Sequence, residues 1–187
     1  MKKIILDLCG GTGAWSKPYL AAGFDVRLVT LPEDVRLYYP GSEFLNQMNR
    51  KSIYGILAAP PCCHLAGSGA RWWKEKGESK LLEALSIVDA CLRIIMITKP
   101  VFWCIENPVG RLIHYIGPPV MYFHPYEYGD PYQKKTCLWG NFNKPLKNIV
   151  EPTDGQKIWK MAPSEKRKEL RSITPPNFAQ AFFEANH

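Results

Sequence analysis

Three apolar runs in this chain each end on residues that the interior of a sheet does not tolerate. KKIILDL at 2–8 runs into CGGTGAW, IYGILAA at 53–59 into PPCCH, and VFWCI at 101–105 into ENP. Continuous apolar runs of this length read as strands buried on both faces, and glycine and proline close them. Residues 16–22 read as a short helix stopped by Gly23, and 24–30 (FDVRLVT) as another strand. Residues 80–98 carry Leu82, Leu85, Val88 and Ile95 at helical spacing, behind Ser79 as a cap and ahead of Pro100. PPVMYFHPYEYG and KKTCLWGNF read as two strands of a mixed sheet, 141–172 as polar and irregular, and 176–185 as a closing helix. Strands alternating with helices predict an α/β fold, a mostly parallel sheet with helices on both faces. In such sheets ligands bind beyond the carboxyl ends of the strands, where the three abrupt corners fall.

A length of 187 residues suits one domain over 1–187. No apolar run approaches the roughly 20 residues that span a bilayer. The start, MKKIILDLCGG, lacks the long apolar region of a signal peptide, so a cytoplasmic protein is expected. The formal net charge of +7 fits either a lysine-rich solvated surface or a polyanionic partner, nucleic acid or a phosphorylated small molecule. The six cysteines are expected as thiols in that compartment. They form no paired CxxC motif, and the side chains of Cys62, Cys63 and His64 diverge, so no metal is expected.

Each corner has a chemical reading and a plain one. Gly10, Gly11 and Gly13 let the backbone turn tightly and approach a ligand, or make only a turn. Pro60 and Pro61 fix a rigid corner that displays Cys62 and Cys63 as a nucleophile, or pack two small residues under a loop. Glu106 behind an apolar strand would have its pKa raised by desolvation and carry a proton near neutrality, or would cap a turn.

In this order, the glycine corner, Pro-Pro-Cys and Glu-Asn-Pro resemble the DNA cytosine-5 methyltransferase family. YGDPYQKKTCLWGN and RSITPPNFAQAFFEAN extend the resemblance over nearly the whole chain. It implies a Rossmann-like methyltransferase fold, S-adenosylmethionine as cofactor with S-adenosylhomocysteine as product, and a cytosine substrate. Cys62 takes the place of the nucleophile that adds to cytosine C6. Glu106 takes that of the acid at N3, and Asn107 that of the support for the cysteine loop. Asp7, Gly11, Gly13, Trp15, Pro60, Ser172 and Thr174 fall on cofactor-pocket positions, and Asp34 and Val35 on the pair at the adenine. Thr30 stands where an acidic ribose ligand is expected, with Glu33 as the candidate substitute. Pro61 and Gln133 fall on substrate positions. The family's alternating arginines fall on Lys135 and Cys137, so the second cation is missing.

The family's separate recognition region is also missing, since 142–170 is a short insert. Two substrates follow. One is DNA read with little sequence preference, with Arg71, Lys74 and Lys76 on phosphates and Trp72 or Trp73 wedging bases. Lys166, Arg167 and Lys168 make a second basic patch. The other is a free nucleotide such as dCMP. Packing of the loop is the plain reading of the two tryptophans. A non-catalytic binding module is a rival from another class. Transfer to an exocyclic nitrogen is disfavoured, because Ala59 stands where that chemistry uses Asp or Asn.

Overall fold

Alternate side chains of the central strands face opposite ways, and each direction meets a helix. A computed structural model describes residues 2–39, 42, 53–157, 161–162 and 164–187, with the backbone only at 165, 166, 168 and 169. Six strands form one sheet: β1 (Ile4–Leu8), β2 (Asp25–Val29), β3 (Ile53–Ala58), β4 (Phe102–Pro108), β5 (Met121–Phe123) and β6 (Thr136–Asn141). Their order is β2-β1-β3-β4-β6-β5. The first four are mutually parallel, and β6 runs antiparallel between β4 and β5. The expected mixed, mostly parallel Rossmann-like sheet is present.

The helices are α1 (Lys17–Ala21), α2 (Trp73–Thr98), α3 (Ile113–Ile116), α4 (Glu165–Ser172) and α5 (Pro176–Ala185). On one face Leu6, Leu8, Ile56, Ala58 and Ile105 meet Ala84, Val88, Cys91 and Ile95 of α2. On the other, Ile5, Leu57, Phe102 and Cys104 meet an aromatic layer from α1 and α5. This period-2 division follows from the strand pleat. Phe178 of α5 lies at the centre of that layer, stacked on Phe123 with ring centroids 3.8 Å apart and edge-on to Tyr128.

Several boundaries differ from expectation, among them the strand expected over PPVMYFHPYEYG, which is β5 at Met121–Phe123 followed by a 3-10 helix at Pro125–Tyr128. Helix α2 is two helical arms joined at a break, and its long arm starts just ahead of the expected position, with Ser79 in its first turn rather than capping it. The break falls at Gly77, whose φ of 72° only glycine adopts without strain. Leu82 is 64% exposed, off the core face of the helix. Glu106 and Asn107 belong to β4 instead of following it, because Leu138 and Cys137 of β6 pair with them. Helix α4 arises in a stretch read as irregular; EKRKELRS has no apolar stripe to announce it. The rest of the stretch expected to be irregular before β3, at 40–41 and 43–52, lies outside the described residues.

Phe178→Ala removes the centre of the aromatic layer and is expected to cost roughly 3–5 kcal/mol in urea unfolding. Leu146→Ala, at a side chain 89% exposed, is expected to shift stability by no more than about 0.5 kcal/mol.

Candidate active site

The parallel order β1-β3-β4 sets the three corners side by side. A hydrogen bond of 2.9 Å from Ala59 N to Leu8 O joins the ends of β1 and β3. One cavity of about 490 Å³ opens there, with Cys9, Gly11, Pro60, Pro61, Cys62, Glu106, Gln133, Lys135 and Ser172 in its wall.

The first corner is built around a buried carboxyl. Asp7 is fully buried, accepts a 2.5 Å hydrogen bond from Ser16 Oγ, and leaves Oδ1 without a partner. A side chain at Gly10 would place Cβ 2.3 Å from that Oδ1, so the turn closes only over glycine. Gly11, at φ +55°, has open space where a Cβ would stand. Cys9 adopts a left-handed φ of 57° that non-glycine residues seldom take. Asp7 and Gly13 thus shape the corner from behind and are not in the cavity wall. Trp15 is 2% exposed and packs against Phe178 and Phe182, so its expected place in the pocket is corrected to the aromatic core.

The second corner is clamped by the third. Asn107, itself buried, donates from Nδ2 to Pro60 O at 2.8 Å. The loop after Cys62 is laced to the segment after β4: Gly67 N donates to Val109 O, Arg111 N to Leu65 O, and Arg111 Nε to His64 O. A Cβ at Gly110 would sit 2.0 Å from Leu65 O, so the two backbones touch. Cys62 and Glu106 therefore face one space from two elements that cannot move independently.

Their electrostatics are linked. Burial raises the Glu106 pKa above the usual carboxylate range, and Lys134 pulls it back. Burial and the Glu106 charge raise the Cys62 thiol, while Arg171 and Lys134 lower it. Lys134 and Arg171, absent from the sequence-derived set, thus act on both or one of the two groups. Lys134 Nζ donates to Arg171 O at 2.8 Å, and Arg171 Nη2 to Ser68 Oγ at 3.1 Å. Lys135 is at the cavity wall but exposed, with its ammonium 4.9 Å from the Tyr122 ring centre. Cys137, at the position of the missing second cation, is buried and its thiol is pushed up to about 11.

Several expected residues lie away from the cavity wall. Val35 is 3% exposed in the α2-facing core. Asp34 is ion-paired to Arg36 at 2.6 Å, yet near enough to Cys9 for its charge to oppose ionisation of that thiol. Thr174 is half-buried beyond the wall. Lys76 donates to Cys63 O at 3.0 Å. Arg71 lies over Trp72, which is 47% exposed, and Lys74 is exposed. Trp73 instead carries the Arg111 guanidinium on its ring, so the two tryptophans have separate surroundings. The side chains of Lys166 and Lys168 lie outside the described residues, whereas Arg167 is in the cavity wall. His124, Ser68 and Gln156 also line it without having been foreseen. They stand on loops and turns whose approach to β3 and β4 no local pattern encodes. Among the described residues no group of three or more metal-ligating side chains is found, and no helix is long and apolar enough to cross a membrane.

No protein-family model matches the chain, and no curated protein matches it. Among solved structures, it is similar to a candidate DNA modification methyltransferase encoded within an E. coli prophage, at 18% identity and a TM-score of 0.48. The match covers 88% of this chain and 50% of that one, so the chain spans about half the length of that protein.

Two expectations follow. Burial raises the folded-state pKa of Asp7 from 3.8 to about 6, so the neutral form favours the fold. Its contribution is complete below about pH 4 and is lost as pH rises to about 6, a decline of about 3 kcal/mol that Asp7→Asn should abolish in urea titrations. At Cys62, Glu106→Gln removes a negative neighbour and should lower the thiol pKa, whereas Lys134→Gln should raise it. Site-resolved alkylation by iodoacetamide across pH reads both shifts.

Proposed function

We propose that the protein transfers a methyl group from S-adenosylmethionine to C5 of cytosine in DNA, through a covalent bond between Cys62 and C6. The observation that carries this reading is the facing pair of Cys62 and Glu106, locked together by the Asn107 to Pro60 hydrogen bond. Cytosine C5 is too weak a nucleophile to take a methyl group unaided. A thiolate adding to C6 makes it an enamine carbon, and a proton held at N3 favours that addition.

Each residue then has a task. Cys62 gives up its proton to solvent and bonds C6 through Sγ. Glu106, whose pKa is raised by burial, would donate a proton to N3, so that the C5=C6 electron pair becomes available at C5. Asn107 positions the Pro-Pro-Cys corner. Once C5 has bonded the methyl carbon, loss of the C5 proton to solvent restores the double bond and expels Cys62 as thiolate, and N3 returns its proton to Glu106. Ionising Cys62 and keeping Glu106 protonated are mutually favourable, since each charge opposes the other.

The wall fits the cofactor: Gly11 leaves open space at the end of β1, with Cys9 beside it and Pro60 across the same cavity. Cys9, Gly11, Pro60 and Ser172 would hold it, with Asp34 near the Cys9 side. When bound, S-adenosylmethionine supplies a methyl group on a positively charged sulfur that accepts electrons from carbon.

The alternative is the same chemistry on dCMP, and one observation favours it. Gln133 N donates to Gly155 O, Asn148 N to Glu127 O and Val150 N to Tyr126 O. The described part of the short insert is thus bound against the 126–133 loop, with little chain left for reading a DNA sequence.

Labelled S-adenosylmethionine offered with duplex DNA, single-stranded DNA and dCMP separates the readings. Label is expected in DNA, and label in dCMP alone would select the alternative. No label above a Cys62→Ala blank in any of the three overturns both. Asn107→Ala, which frees the corner, is expected to lower kcat on the order of 100-fold with the fold retained.

A further inference from the structure

The cavity holds more positive charge than a neutral pyrimidine needs. Among the described residues its wall carries Lys134, Lys135, Arg167 and Arg171 against a single carboxylate, Glu106. None of the ion pairs among the described residues engages Lys134, Lys135 or Arg171. Two of them are fixed rather than free to wander: Lys134 donates to the Arg171 carbonyl, and the Arg171 guanidinium donates to Ser68 in the loop that follows Cys62. Like charges gathered in one cavity wall favour an anion that joins them.

We propose that Arg171 and Lys134 form a phosphate site for the nucleotide whose base meets Cys62 and Glu106. The proposal rests on the cytosine reading for the orientation of the base, and not on methyl transfer itself. In a pyrimidine C6 adjoins N1, and N3 lies across the ring from C6. A base with C6 at Cys62 and N3 at Glu106 therefore sends its glycosidic bond, sugar and phosphate out on the Cys62 side. Ser68, with Arg171 bonded to it, stands in the loop that follows Cys62, and the Arg171 charge reaches the Cys62 thiol. Arginine suits the task because its planar fork keeps donors to spare after one is given to Ser68. The cation comes from α4, a helix built almost wholly of charged residues, which gives this short segment a ligand-binding role.

The phosphate can belong to a DNA backbone or to a free nucleotide. Equilibrium binding without any methyl donor tests the site, with deoxycytidine, dCMP and the trinucleotide d(TpCpT) as probes. One or two charge-assisted hydrogen bonds correspond to about tenfold to a hundredfold in affinity. The phosphate-bearing probes are expected to bind tighter than deoxycytidine by that factor. Arg171→Gln and Lys134→Gln should each erase most of the preference, and Arg171→Lys should restore part of it. Thermal melts confirm that the variants fold. A trinucleotide that binds tighter than dCMP marks a backbone phosphate, and the reverse order marks a nucleotide monophosphate; both support the site.

Equal binding of deoxycytidine and dCMP overturns the proposal. So does a parallel loss of S-adenosylhomocysteine affinity in both Gln variants, which would assign the cations to an amino-acid carboxylate. A protein that prefers phosphate but transfers no methyl would sink the reaction and leave the anion site standing.

Discussion

The 2.8 Å hydrogen bond from the Asn107 amide to the Pro60 carbonyl holds the candidate site together. Proline gives its own nitrogen no proton, so a Pro-Pro corner cannot extend a ladder to its neighbour through N–H groups. Its carbonyl must find a donor elsewhere, and Asn107, buried at the end of β4, supplies one. Because Asn107 is paired with Cys137 in the ladder to β6, the corner inherits the rigidity of the sheet. The contact of Gly110 with Leu65 and the two hydrogen bonds of Arg111 carry the same clamp along the loop. The alignment of Cys62 with Glu106 is a consequence of backbone packing, not of a direct bond between them.

The strands and the three corners are legible in the sequence because they depend on local rules. Apolar runs must be buried, and Gly10, Pro60 and Pro108 end them by their own covalent constraints. The glycine at position 10 has a second reason that only the structure gives, the Asp7 carboxyl beneath it. Trp15 could be placed near the corner by its position in CGGTGAW, but its direction depends on Phe178 and Phe182, more than 160 residues away. Lys134 and Lys135 are adjacent and chemically alike. Which one acts on Glu106 and Cys62 is decided by how β6 is entered, and the chain puts Lys134 inward and Lys135 over Tyr122.

Arg171 was the least legible of the site residues. A charged octapeptide without an apolar stripe gives no sign of forming a helix, and nothing local joins it to a loop a hundred residues earlier. Its bond to Ser68 closes a ring of contacts from the Cys62 loop through α4 to the start of β6.

The charge balance of the cavity ties these pieces into one argument. Burial alone pushes Cys62 and Glu106 toward their neutral forms, and an ionised Glu106 would push the thiol further. Lys134 and Arg171 counter that by favouring negative charge, which the site can place on sulfur, on a carboxylate or on a bound phosphate. Once an anion occupies the cations, less of their field is left for the thiol, so ligand charge and thiol ionisation compete for the same two residues. In the proposed reaction the carboxyl would stay protonated while sulfur becomes the nucleophile, so that one buried negative charge is shared and never doubled. On that reading, desolvation of Glu106 would matter to Cys62 as much as the cations beside it.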